Sequence, residues 1–73
     1  MPKLPVLKPS EVVKALENIG FYQVRQKGSH LQLKRGNLLV TIPMHSKDIN
    51  HGTLKSIIRQ AKLSTEEFLS LIK

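Results

Sequence analysis

Residues 29 to 43 read SHLQLKRGNLLVTIP, two alternating runs separated by a turn too short to be anything but a hairpin. In the first run Leu31 and Leu33 point one way and His30, Gln32 and Lys34 the other, because side chains on a strand alternate between its two faces. Arg35-Gly36-Asn37 supplies the turn, with Gly36 and Asn37 both tolerant of positive φ. The second run puts Leu38, Val40 and Ile42 on one face and Leu39 and Thr41 on the other, and Pro43 ends it. A chain carrying this hairpin must cover one face of it with something apolar and can leave the other wet.

The covering elements are readable on either side. Val12, Val13, Leu16 and Ile19 recur at helical spacing, with Glu11, Lys14, Glu17 and Asn18 opposite them, which predicts a helix from about Pro9 or Ser10 to Ile19. Ser10 is the expected N-cap and Gly20 the expected stop. Tyr22 and Val24 then alternate with Gln23, Arg25 and Lys27, predicting a further strand with one buried and one wet face. After the connecting loop MHSKDINHG, a helix from about His51 to Ala61 or Lys62 follows, capped by Asn50 and buried along Leu54, Ile57, Ile58 and Ala61. Ser64-Thr65-Glu66-Glu67 fits a capping box, so a short last helix carrying Phe68, Leu69 and Ile72 closes the chain. The expected fold class is α+β: helix, three antiparallel strands, helix, short helix, the helices covering one sheet face.

The chain has 73 residues, enough for one domain with a thin core and no deep cavity. Residues 1 to 9 carry Pro2, Pro5 and Pro9 and are expected to be an extended, partly frayed tail, with residues 10 to 73 forming the domain. Cysteine is absent, which rules out disulfides and thiolate zinc sites and points to a reducing compartment. The longest apolar run is Leu38-Leu39-Val40, so no membrane span is expected, and MPKLPVLKP lacks a secretory apolar stretch; a cytoplasmic location is the expectation. Twelve Lys and Arg against five Asp and Glu give a net charge of +7. That field attracts polyanions, nucleic acid being the commonest, with an acidic protein as the alternative.

Against this background His30 has two readings, a polar residue on the wet face of a strand or a proton-transfer group held up to a substrate. Its face also offers Arg25, Lys27 and Thr41, a shallow basic surface rather than a pocket. Gly28 permits close backbone approach, and the amides around Gly28 and Ser29 could hold a phosphate. His45, near Lys47, is either a loop residue or a second phosphate contact; His51 opens a helix. No histidine pair has metal-site spacing, so neither metal nor other cofactor is expected. Lys55, Arg59 and Lys62, spaced i, i+4, i+7, form a basic stripe suited to a phosphate backbone or simply to water. Phe21, Tyr22 and Phe68 are all expected to be buried, leaving no platform for stacking bases.

The strings GFYQVRQKGSHLQL, VTIPMHS and HGTLKSIIRQAKLSTEEF resemble the HicA, or YcfA-like, family of bacterial mRNA interferase toxins, from about Ser10 to Leu69. The resemblance implies a double-stranded-RNA-binding-domain-like fold, endoribonuclease activity on mRNA and a HicB-like antitoxin partner. It maps the family's catalytic histidine onto His30. Leu31, Ser46 and His51 depart from a frequent histidine, glycine and proline respectively, and none of these removes the presumed catalytic group. The implied chemistry is metal-independent: His30 moves a proton to or from the ribose 2′-hydroxyl or the leaving 5′-oxygen, Lys27 and then Arg25 stabilise charge on phosphorus, and Gly28, Ser29 and His45 assist. Lys34, Lys55, Arg59 and Lys62 would hold the RNA. A non-catalytic double-stranded-RNA binder and a basic protein-interaction module remain as alternatives.

Overall fold

The computed structural model describes residues 4–45 and 47–72; residues 1–3 of the N-terminal tail and Ser46 lie outside them. The elements run α1 (Pro9–Glu17), β1 (Tyr22–Lys27), β2 (His30–Arg35), β3 (Leu38–Pro43), α2 (His51–Gln60) and α3 (Thr65–Leu71). The strands form one antiparallel sheet in the order β1-β2-β3, and the helices cover one face of it, the α+β arrangement read from the sequence.

Strand alternation decides which face is covered. Leu31, Leu33, Val40 and Ile42 are all buried and meet Val12 and Leu16 of α1, Leu54, Ile57 and Ile58 of α2 and Phe68 of α3 in a single core. Both hairpins use two-residue loops whose first residue is a glycine at positive φ, Gly28 at 58° and Gly36 at 59°. Asn37 does not share that conformation; a single positive φ at the first loop position is the pattern of a II′ turn, whose twist suits the flanking strands.

The helix ends show local chemistry at work. Asn50 accepts a hydrogen bond from the Thr53 N–H at 2.8 Å and so caps α2. At α3 the Ser64 N–H donates to Glu67 Oε1 at 2.8 Å while the Glu67 N–H donates to Ser64 Oγ at 3.0 Å, a complete capping box. The bonds from the Ser64 backbone and then its hydroxyl hold the Glu67 carboxyl below the usual carboxylate range. At α1 the expected Ser10 cap is replaced: the cap moves two residues earlier to Lys8, with Pro9 at the first helical position, and Glu11 reaches back to accept from the Lys8 N–H at 2.9 Å. Proline suits that position because its missing donor would be orphaned there anyway.

Both long helices close with the same pair of bonds. In α1 the Phe21 N–H donates to the Leu16 carbonyl and the Gly20 N–H to Glu17, with Gly20 at φ 101°. In α2 the Leu63 N–H donates to Ile58 and the Lys62 N–H to Arg59, which forces Lys62 to φ 61°. This is the Schellman closure, and a lysine stands where glycine is usual. Lys62 is therefore past the end of α2 and in a left-handed conformation, so it does not continue the Lys55–Arg59 stripe as its spacing implied.

Two further expectations change. From Leu4 onward the N-terminal stretch is extended but tied down: Leu4 and Leu7 are buried, and the Ile49 N–H donates to the Leu7 carbonyl at 2.8 Å. The proline-rich stretch was expected to fray, yet both its described leucines belong to the core and Leu7 pairs with Ile49 in the loop before α2. Strand β1, expected to be half-buried, has all six residues exposed. It is an edge strand lying beyond the helices' cover, and its register slips by one residue between Gln23 and Arg25.

Candidate active site

The pairing register assembles the open face of the sheet in three rows. Lys27, His30 and Pro43 form the first, Arg25, Gln32 and Thr41 the second, and Tyr22, Lys34 and Leu39 the third. Residues directly opposite one another across a ladder share a face, so all nine side chains belong to the face that the helices leave bare. His30 is exposed, as the parity of Leu31 and Leu33 requires.

The first row lies at the Gly28-Ser29 turn. There the Met44 N–H donates to the Ser29 carbonyl at 2.6 Å, carrying the β2–β3 pairing one step past Pro43. Pro43 itself cannot donate, so this bond is what holds the departing chain against the end of β2. The consequence is that His45 leaves the sheet beside His30: the two imidazole rings stand edge to face, 5.7 Å between centroids and 69° between planes. Rings this close leave a phosphoryl group room beside the pair rather than between its members.

Gly28 is exposed, with no atom within 4 Å of where a Cβ would sit, so its backbone is open to solvent and its positive φ alone demands glycine. Gln26 Nε2 donates to its carbonyl at 3.3 Å, bracing the turn from β1. The structure thus brings Lys27, Gly28, Ser29, His30 and His45 to one corner, with Arg25 one row away and Lys34 two. Lys55 and Arg59 are exposed on α2, in the layer on the far side of the sheet from His30. Among the described residues no group of three metal-ligating side chains comes together, and no helix is long and apolar enough to cross a membrane.

The register also corrects the aromatic reading. Tyr22 is 54% exposed and lies on the His30 face, opposite Lys34. An unbroken strand would have placed Tyr22 and Arg25 on opposite faces; the bulge at Val24 brings them to the same one. Phe21 and Phe68 are buried as expected. What could have warned of this is position: the first strand of a three-strand meander is an edge.

The family model described as the HicA toxin of bacterial toxin–antitoxin systems matches residues 9–63. The chain belongs to the HicA toxin family. Every site residue named above, from Tyr22 to Lys62, falls inside the matched span, and only α3 lies beyond it. Membership in the HicA family gives the chain a toxin's role and implies a HicB-type antitoxin as its partner. No curated protein matches the chain.

Proposed function

We propose that this HicA-family toxin is a metal-independent endoribonuclease that cleaves mRNA, with residues 10–73 working as one RNA-binding and catalytic domain in the cytoplasm. The observation that carries the reading is the exposed His30 imidazole, seated between Lys27 and Pro43 on the open face with the His45 ring 5.7 Å away. RNA brings its own nucleophile, so the protein has only to move protons and stabilise charge.

In the proposed reaction His30 takes the proton of the 2′-hydroxyl as that oxygen attacks the adjacent phosphorus. The bond to the 5′-oxygen breaks, and that oxygen takes a proton from water or from the protonated imidazole, giving a 2′,3′-cyclic phosphate and a 5′-hydroxyl end. An imidazole suits either transfer because it changes charge near neutral pH. Lys27, directly opposite His30, stabilises the charge that builds on the phosphoryl oxygens, with Arg25 in support. The backbone at Gly28 and Ser29 can approach the phosphate, and His45 is the second proton-carrying group at the corner. Lys34 on the open face, Lys55 and Arg59 on α2 and Lys62 past its end hold the polynucleotide through its phosphates.

The test is cleavage of a purified transcript with and without EDTA, together with an oligonucleotide bearing a 2′-deoxy sugar at the cut site. Cleavage that survives the chelator, stops at the deoxy sugar and leaves a cyclic phosphate is the expected result. Cleavage that requires a divalent metal, or proceeds without the 2′-hydroxyl, overturns the mechanism.

A further inference from the structure

Of the third row of the open face only Lys34, as a phosphate contact, enters the reading just given; Tyr22 and Leu39 have no part in it. Tyr22 and Leu39 flank Lys34 across the three strands, 54% and 49% exposed, so a row in full contact with water carries an aromatic ring, a cation and an aliphatic chain. Single exposed apolar residues are ordinary on a protein surface. Here two stand on either side of one ammonium group, and a register slip in β1 is what turns the tyrosine to this side.

Charge identifies the occupant. The nine side chains of the open face include Arg25, Lys27 and Lys34 and no carboxylate. On the β1 side the Glu17 carboxylate accepts from Gln23 Nε2 at 3.5 Å. Gln23 is opposite the buried Leu33, hence on the other side of the strand. A ligand that wants a flat apolar face and a cation within the same few ångströms is a nucleotide whose base is unpaired: the base stacks on the ring and the phosphate meets the ammonium. A duplex hides its base faces in its own stack and offers nothing to Tyr22. From Lys34 to His30 is four residues along β2, about 13 Å, which places the row within reach of a short extended stretch of the strand being cut.

We infer that Tyr22, Lys34 and Leu39 form a base-stacking subsite for an unpaired nucleotide flanking the scissile bond, making single-stranded RNA the preferred substrate. This deepens the nuclease reading and rests on it for the choice of ligand, but binding tests it apart from cleavage. The probe is a 2′-O-methyl single strand, which cannot be cut, carrying 2-aminopurine at successive positions; its duplex with a complementary strand is the comparison. The expected results are fluorescence quenching at one position, affinity for the single strand above that for the duplex, and a loss of single-strand affinity of at least about fivefold in Tyr22→Ala. Tyr22→Phe keeps the ring and should recover affinity to within about twofold.

Equal affinity of the native chain for single strand and duplex, or no quenching at any position, overturns the subsite even if the alanine variant folds poorly. So does a Tyr22→Ala variant that binds the single strand normally while losing affinity for a HicB-type antitoxin, which would make the row a protein contact. The two readings fail separately: quenching without any cleavage of unmodified RNA removes the nuclease and keeps the subsite, whereas cleavage without quenching does the reverse.

Discussion

The two faces of this sheet are made from the same strands and do opposite work. The inner face contributes Leu31, Leu33, Val40 and Ile42, each at most 5% exposed, and they are what fixes the helices to the sheet. The outer face contributes His30, Gln32, Lys34 and Thr41 from the same two strands; the helices leave it uncovered, and the ring of His45 stands against His30 at one corner. Because alternate residues serve the two faces, the outer one can be loaded with charge and an aromatic ring without disturbing the inner. The difference teaches that a very small domain can keep stability and chemistry apart without separate regions, by assigning them to alternate residues.

That division can be broken by crossed measurements. His30→Ala should lower cleavage by about 10²- to 10⁴-fold, while its melting transition stays within about 0.5 kcal/mol of the native chain. A variant that unfolds instead would show that the outer face also holds the fold. Leu33→Ala on the inner face should destabilise the domain by about 2–5 kcal/mol through the cavity it leaves, measured by urea unfolding. Lys27→Gln should slow the reaction at saturating RNA by about a hundredfold. Lys55→Gln on the helical layer should instead raise KM and reduce the slope of log affinity against log salt by about one.

Two smaller effects sharpen the comparison by probing the helical layer alone. Lys62→Gly should raise stability by about 0.5–1 kcal/mol, since the left-handed conformation at φ 61° is one that glycine adopts freely. The smallest effect is acid dependence at α3. The Glu67 carboxyl titrates below its ordinary value because Ser64 bonds its charged form, so its contribution is present above the unfolded carboxylate range and is lost as pH falls through the lower folded value. Melting curves of the native chain and Glu67→Gln should therefore draw together at low pH and stand apart at neutral pH.

How much of this was legible in the sequence depended on whether the controlling interaction was local. The β2 and β3 faces follow from alternation, and the Asn50 and Ser64 caps from bonds spanning three residues, so all were readable. The exposure of His30 followed from the burial of its neighbour Leu31. The faces of β1 were not readable, because a one-residue slip leaves the alternating pattern untouched while reversing its meaning. Lys62 has the right spacing for the α2 stripe and the wrong backbone, which only the bonds from Lys62 to Arg59 and from Leu63 to Ile58 reveal. The apposition of His30 and His45 accompanies a hydrogen bond from Met44 to Ser29, residues fifteen positions apart, and no spacing rule anticipates that pairing.

The irregularity in β1 also bears on how this chain behaves in a crowded solution. A flat outermost strand invites a second molecule to add itself and continue the sheet into a fibre. Here the extra residue at Val24 disrupts the template midway, and Arg25 and Lys27 repel an identical neighbour, so the same kink that turns a tyrosine outward also makes this edge a poor template for fibre growth.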